Sequence, residues 1–111
     1  MRDAVIVSTA RTPLSKAMRG AFNNTTVPTL GAYSVKAAVE RAGLSGGEID
    51  DVLIGAAVQQ GSAGGNVARL IALRAGLPVS VPAMSIDRQC SSGLMTIATA
   101  AKQIIVDRQD I

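Results

Sequence analysis

The chain has no histidine and no tryptophan, and only one cysteine, one phenylalanine and one tyrosine among its 111 residues. Each shortage excludes something. One thiol cannot close an internal disulfide, which argues against a stapled secreted scaffold and for a reducing, intracellular setting. Without histidine there is no Cys/His cluster, and no metal site is expected. The 11 basic and 8 acidic residues form no Lys/Arg run, so the mild positive excess reads as an ordinary solvated surface and not as a nucleic-acid footprint. The stretch Ala4-Val5-Ile6-Val7 is too short for a signal-peptide core or a membrane span. A soluble cytoplasmic protein is the expectation. Hydrophobic residues still make up 48% of the chain, but Ala, Val, Ile and Leu do the filling, so a core must be closely packed rather than bulky.

The apolar pattern alternates in kind. Residues 4–10 (AVIVSTA) are β-branched and apolar at their centre, which predicts a buried strand. Pro13 ends it by biasing Thr12 toward extended geometry. Residues 14–26 have no period and read as a loop. Residues 29–42 carry Leu30, Tyr33, Ala37 and Ala38 at helical spacing, with Gly43 as the stop. Ser45 and Glu48 have capping-box spacing. Residues 51–58 (DVLIGAAV) read as a second buried strand, and residues 59–65 as a flexible glycine-rich connector. That connector lacks the Lys-Ser/Thr of a phosphate loop and the G-x-G-x-x-G pattern. Residues 66–75 place Val67, Leu70, Ile71 and Ala75 on one face, before Gly76 and Pro78. Residues 81–87 read as a third strand, with Pro82 favouring a sheet edge or a strand start. Residues 91–107 carry a wide apolar stripe that predicts a helix buried on more than one side. The order βαβαβα points to an α/β layer with a mainly parallel sheet and right-handed crossovers.

Cys90 stands where the third strand gives way to the last helix, followed by Ser91, Ser92 and Gly93. At a helix N-terminus, free N–H groups and the helix dipole favour an anion, and a thiolate is the nucleophilic form of cysteine. A sharp strand–turn–helix junction also presents its side chain outward and admits only small neighbours, as in the elbow of serine hydrolases. The Cys90 N–H could help hold an oxyanion there. The competing reading is that a free cysteine is commonly a small buried hydrophobe. The chain also lacks the histidine that usually accompanies a nucleophilic cysteine. Arg11, Asn66 and Arg69 can pin loops near such a site or an interface, or serve only as local hydrogen-bonding groups. Met18 and Met95 are expected to pack.

The stretch Asp87-Arg88-Gln89-Cys90-Ser91-Ser92-Gly93-Leu94 resembles the nucleophile motif of the thiolases, N-x-x-C-x-S-G-L. The resemblance extends through Val5-Ile6-Val7, Arg11-Thr12-Pro13, Lys16, Gly20, Phe22, Gly55, Asn66-Val67-Ala68-Arg69 and Ala75-Gly76-Leu77-Pro78. It implies a thiolase-like layered α/β fold in which residues 1–111 are the amino-terminal part of the first half-domain, with the remainder of the enzyme absent and this stretch alone inactive. It implies that Cys90 attacks a 3-oxoacyl-CoA, that acetyl-CoA leaves, and that coenzyme A, a substrate and not a resident cofactor, takes the acyl group. Run backward, the same steps condense two acetyl groups. The R-Q-C-S-S-G wording is nearer to degradative than to biosynthetic members. Also implied are a homodimer or homotetramer paired through the third strand, and no nucleic-acid or membrane partner. One departure is Asp87 where the family commonly has asparagine; its carboxylate must be turned away or paired, for instance with Arg88. Aspartate there also resembles the ketoacyl synthases, the nearest enzymatic alternative, against which Arg11-Thr12-Pro13 argues. A non-catalytic interaction fragment is the alternative from another class.

Overall fold

The computed structural model describes residues 2–111. Among them, two short strands pair in parallel: β1 (Val52–Gly55) and β2 (Ala83–Ile86), with Val52 opposite Ala83 and Gly55 opposite Ile86. Helix α1 (Val27–Arg41) precedes β1, α2 (Val67–Arg74) lies between the strands in sequence, and α3 (Ser92–Lys102) follows β2. This is an α/β unit. Its core is Val52, Ala72, Leu77 and Val81, with Val35, Val39, Ile49, Ile54 and Ala83 packed around them.

Small residues set the spacing of the layers, as the composition requires. Helix α2 buries Val67, Ala68, Ile71 and Ala72. It meets α1 at Gly31, where a Cβ would lie 2.6 Å from Ile71 Cδ1. Helix α1 begins two residues earlier than the spacing predicts. Pro28 is compatible with a first turn, because the N–H it lacks would have had no intrahelical partner. The Val27 N–H instead donates to Ser62 Oγ at 3.3 Å. The glycine-rich connector is therefore structural at that point, with a short 3₁₀ turn at Gly61–Ala63. The Ser45–Glu48 box forms as predicted, the Ser45 N–H donating to Glu48 Oε2 at 2.7 Å. Pro82 lies immediately before β2, and its carbonyl accepts the Val52 N–H at 3.2 Å.

Three expectations fail, each for a physical reason. Residues 4–10 are not a strand: Val5, Ile6 and Val7 are exposed, and only the two β1–β2 strands pair among the described residues. β-Propensity describes fit to a half-buried pleated surface, and without a neighbouring strand it produces no ladder. The last helix is not buried on several sides. It turns Ser92 and Thr96 inward while Leu94, Ile97 and Val106 stay exposed. A sheet of two short strands covers only one narrow face of a helix, and the rest of the apolar stripe is left outside. That helix also widens to a π turn over Gln103–Asp107 instead of staying α to its end. Met18, expected to pack, is 90% exposed with φ +65°.

Candidate functional site

Strand β2 ends at Ile86, and α3 begins at Ser92 with Ser91 as its N-cap. The turn between them is built from its own polar groups. The Asp87 carboxylate accepts the Gln89 N–H at 2.9 Å. The Arg88 carbonyl accepts both the Ser91 N–H (3.1 Å) and the Ser91 hydroxyl (2.8 Å). The Ser92 Oγ accepts the Arg88 N–H at 2.8 Å and donates to the Gln89 carbonyl at 2.7 Å. Gln89 takes φ +48°, a left-handed conformation that residues other than glycine, Asn and Asp rarely adopt. It reverses the chain in one residue. The next residue is Cys90, which is exposed.

Cys90 is thus neither buried among aliphatic side chains nor remote from the helix start. It stands one residue ahead of the N-cap and is exposed in this chain. The Asp87 carboxylate is held within the turn by the Gln89 N–H. It is not paired with Arg88, whose guanidinium instead reaches Met95 Sδ at 3.1 Å. Beside the cysteine, Arg88, Ser91, Leu94, Met95 and Ala98 line an open groove of about 310 Å³.

Two features position this turn, of which the first escapes a reading of the sequence alone and the second realises the expectation for Asn66 and Arg69. Gly55, at the end of β1, faces the first turn of α3 so closely that a Cβ would stand 2.6 Å from the Ser92 carbonyl carbon and 2.7 Å from the Gly93 nitrogen. Glycine inside a strand-like run is the available signal, since it commonly marks a close backbone approach. The second is an exchange between α2 and β2. Asn66, the N-cap of α2 at φ +55°, makes no side-chain cap to its own helix. Its amide instead donates to the Ala83 carbonyl at 3.0 Å and accepts from Ser85, from the N–H at 3.1 Å and the hydroxyl at 2.9 Å. Ser85 Oγ in turn accepts the Ala68 N–H at 3.0 Å, satisfying a donor in the first turn of α2. Arg69 donates to the Val79 carbonyl at 2.9 Å and also to that of Val81. Asn66 and Arg69 therefore pin the segment leading to Cys90. Among the described residues, Arg11 bonds only locally, to the Thr12 carbonyl at 3.3 Å.

An α/β unit that delivers one exposed thiol through a strand, a strained turn and a helix start defines a class: a domain that presents a cysteine at a strand–helix elbow. The chain belongs to the thiolase family, matching the family described as "Thiolase, N-terminal domain" over residues 4–111. Among curated relatives, it is 47% identical over 110 residues to the "3-ketoacyl-CoA thiolase" of Bacillus subtilis (strain 168), an alignment covering 99% of this chain and 28% of that protein. It is 43% identical over 111 residues to the "Acetyl-CoA acetyltransferase" of Cupriavidus necator, covering 100% of this chain and 28% of the relative. It is 41% identical over 109 residues to "3-ketoacyl-CoA thiolase 5, peroxisomal" of Arabidopsis thaliana, covering 98% and 24%. The chain spans about a quarter of the length of these relatives. Among the described residues no helix is long and apolar enough to cross a membrane.

Proposed function

We propose that these residues carry the nucleophile of an acyl-CoA acyltransferase, and that Cys90 is that nucleophile. One observation carries the reading: the only thiol in the chain is exposed on a hydrogen-bonded turn directly ahead of a helix, in a member of the thiolase family. The Cys90 Sγ attacks the 3-keto carbon of a 3-oxoacyl-CoA. The bond between the α and β carbons breaks, its electron pair stays on the α carbon, and that carbon takes a proton to leave as acetyl-CoA. The acyl group remains on sulfur as a thioester. The thiol of coenzyme A, giving its proton to a base outside these residues, then attacks it, and Cys90 leaves again as thiolate. The Ser91 and Ser92 N–H groups are taken up by the Arg88 and Gln89 carbonyls, so stabilising the charge that develops on the carbonyl oxygen falls to the Cys90 N–H and the dipole of α3. A histidine acting as base has to come from outside these 111 residues, which contain none.

Coenzyme A is substrate in this scheme, and no permanently held cofactor or metal takes part. The same reading includes further polypeptide to complete the site, a homodimer or homotetramer as the working assembly, and a cytoplasmic location. Exposed Val5, Ile6, Val7, Leu94 and Ile97 support the need for covering surface. The chemistry is tested in the intact enzyme with Cys90→Ser. Thiolytic cleavage of acetoacetyl-CoA is expected to fall to background while the circular dichroism spectrum is unchanged. A comparable rate of acetyl-CoA formation in the substituted enzyme removes Cys90 from this role.

A further inference from the structure

Ser92 is a buried polar residue, 4% exposed, at the first position of a helix whose apolar neighbours face outward. Its burial is not explained by helix capping, since the N-cap is Ser91. Its hydroxyl spends both of its hydrogen-bonding roles on the backbone either side of the reversal. It accepts from the Arg88 N–H at 2.8 Å and donates to the Gln89 carbonyl at 2.7 Å. The Gln89 carbonyl also accepts the Ser92 N–H at 3.0 Å, so residue 89 is held from two atoms of one side chain and backbone. Gln89 is the residue at φ +48°, and its carbonyl carbon is bonded to the Cys90 nitrogen. Any rotation about Gln89 re-aims the Cys90 side chain and N–H together.

We propose that the Ser92 hydroxyl is the positioning group for Cys90, tying residues 88 and 89 so that the left-handed turn keeps the sulfur at the start of α3. The inference rests on the reading of Cys90 as nucleophile. Gly55 supports the tie from the other side: its lack of a side chain lets β1 press against the Ser92 backbone, so Ser92 cannot retreat from the turn without displacing the strand. Ser91 does not perform this function, because its hydroxyl bonds only to the Arg88 carbonyl, which its own N–H already engages. Ser92 touches neither substrate nor sulfur in this scheme. It acts through the backbone, so its loss moves the geometry of the reacting group and not the binding of coenzyme A.

The test compares Ser92→Ala, Ser92→Thr and Ser91→Ala in the intact protein. The rate of Cys90 alkylation by iodoacetamide is read beside the thermal midpoint, and kcat and KM for acetoacetyl-CoA cleavage are read separately. Ser92→Ala is expected to change the alkylation rate and to lower kcat on the order of 100-fold with KM little altered, as expected for a reacting atom displaced by about 1 Å. Ser92→Thr, which keeps the hydroxyl, recovers most of kcat, and Ser91→Ala stays within a few fold of the unsubstituted protein. A lower thermal midpoint with kcat and alkylation unchanged overturns the proposal, as does failure of threonine to recover kcat in a folded protein. Should Ser92→Ala not fold, hydrogen exchange of the Arg88 amide in the unsubstituted protein decides. Protection supports the tie, and exchange at the rate of a free amide overturns it. The two readings fail separately. Acyl transfer surviving Cys90→Ser sinks the nucleophile whatever Ser92 does, whereas a silent Ser92→Ala beside an inactive Cys90→Ser sinks the positioning alone.

Discussion

Replacing Gly55 by alanine places a methyl group 2.6 Å from the Ser92 carbonyl carbon, 2.7 Å from the Ser92 oxygen and 2.7 Å from the Gly93 nitrogen. All three are backbone atoms, so no side chain can swing aside. Ordinary contact begins near 3.4 Å, and reaching it requires β1 and the first turn of α3 to separate by about 0.8 Å. Overpacking of this kind costs about 1–3 kcal/mol. In the intact protein that is read as a lower thermal midpoint. Because the displaced backbone is the one Ser92 uses to hold residues 88 and 89, the substitution also disturbs Cys90. Thermal unfolding followed by circular dichroism, with the iodoacetamide rate of Cys90 on the same samples, reads both effects. Gly47→Ala is the control: nothing lies within 4 Å of a Cβ there, so its stability stays within about 1 kcal/mol of the parent's. If Gly55→Ala unfolds at the parent temperature and reacts at the parent rate, strand and turn do not press together, and the account of how the turn is braced is wrong.

Two further outcomes follow from the same framework. Asn66→Ala removes the partners of the Ala83 carbonyl and the Ser85 N–H and hydroxyl, and is expected to destabilise by about 1–3 kcal/mol in urea unfolding. Asn66→Gly, which tolerates φ +55° but cannot bond, is expected to lose much of the same amount. Full stability of both would deny the α2–β2 exchange any energetic role. Asp50 accepts the backbone N–H groups of Asp110 (2.6 Å) and Ile111 (3.1 Å), which hold its carboxyl below its ordinary pKa of 3.8. Docking of residues 110 and 111 is therefore complete above about pH 4 and is lost as pH falls through the lowered value. The Ile111 amide signal in NMR is expected to titrate in acid, and Asp50→Asn is expected to remove that titration.

What could be read from the sequence was whatever local chemistry decides. Helices α1 and α2 and the stops at Gly43 and Gly76 follow from periodicity and from glycine at φ +71° and +86°. Strands β1 and β2 lie inside the apolar runs assigned to them, shortened because a ladder extends only as far as its partner. The place of Cys90 between strand and helix was legible for the same reason. Residues 4–10 were misread because a strand is a property of a pair, and their pattern says nothing of whether the neighbour is there. The outward face of α3 was misread because an apolar stripe reports what needs cover and not what covers it. Ser92 and Gly55 lie far apart in sequence, and only folding brings them together. Asp87 departs from the family's usual asparagine, yet its carboxylate does what a side-chain amide oxygen at that position would do in accepting the Gln89 N–H.

The account turns on an acyl group residing transiently on one sulfur. The most direct measurement is acid quench of the intact enzyme during turnover with acetoacetyl-CoA, followed by mass mapping of the acylated peptide. An acetyl thioester on the peptide carrying Cys90, discharged on adding coenzyme A, is the predicted result. Turnover with the acyl group on another residue, or with Cys90 unmodified throughout, would contradict it.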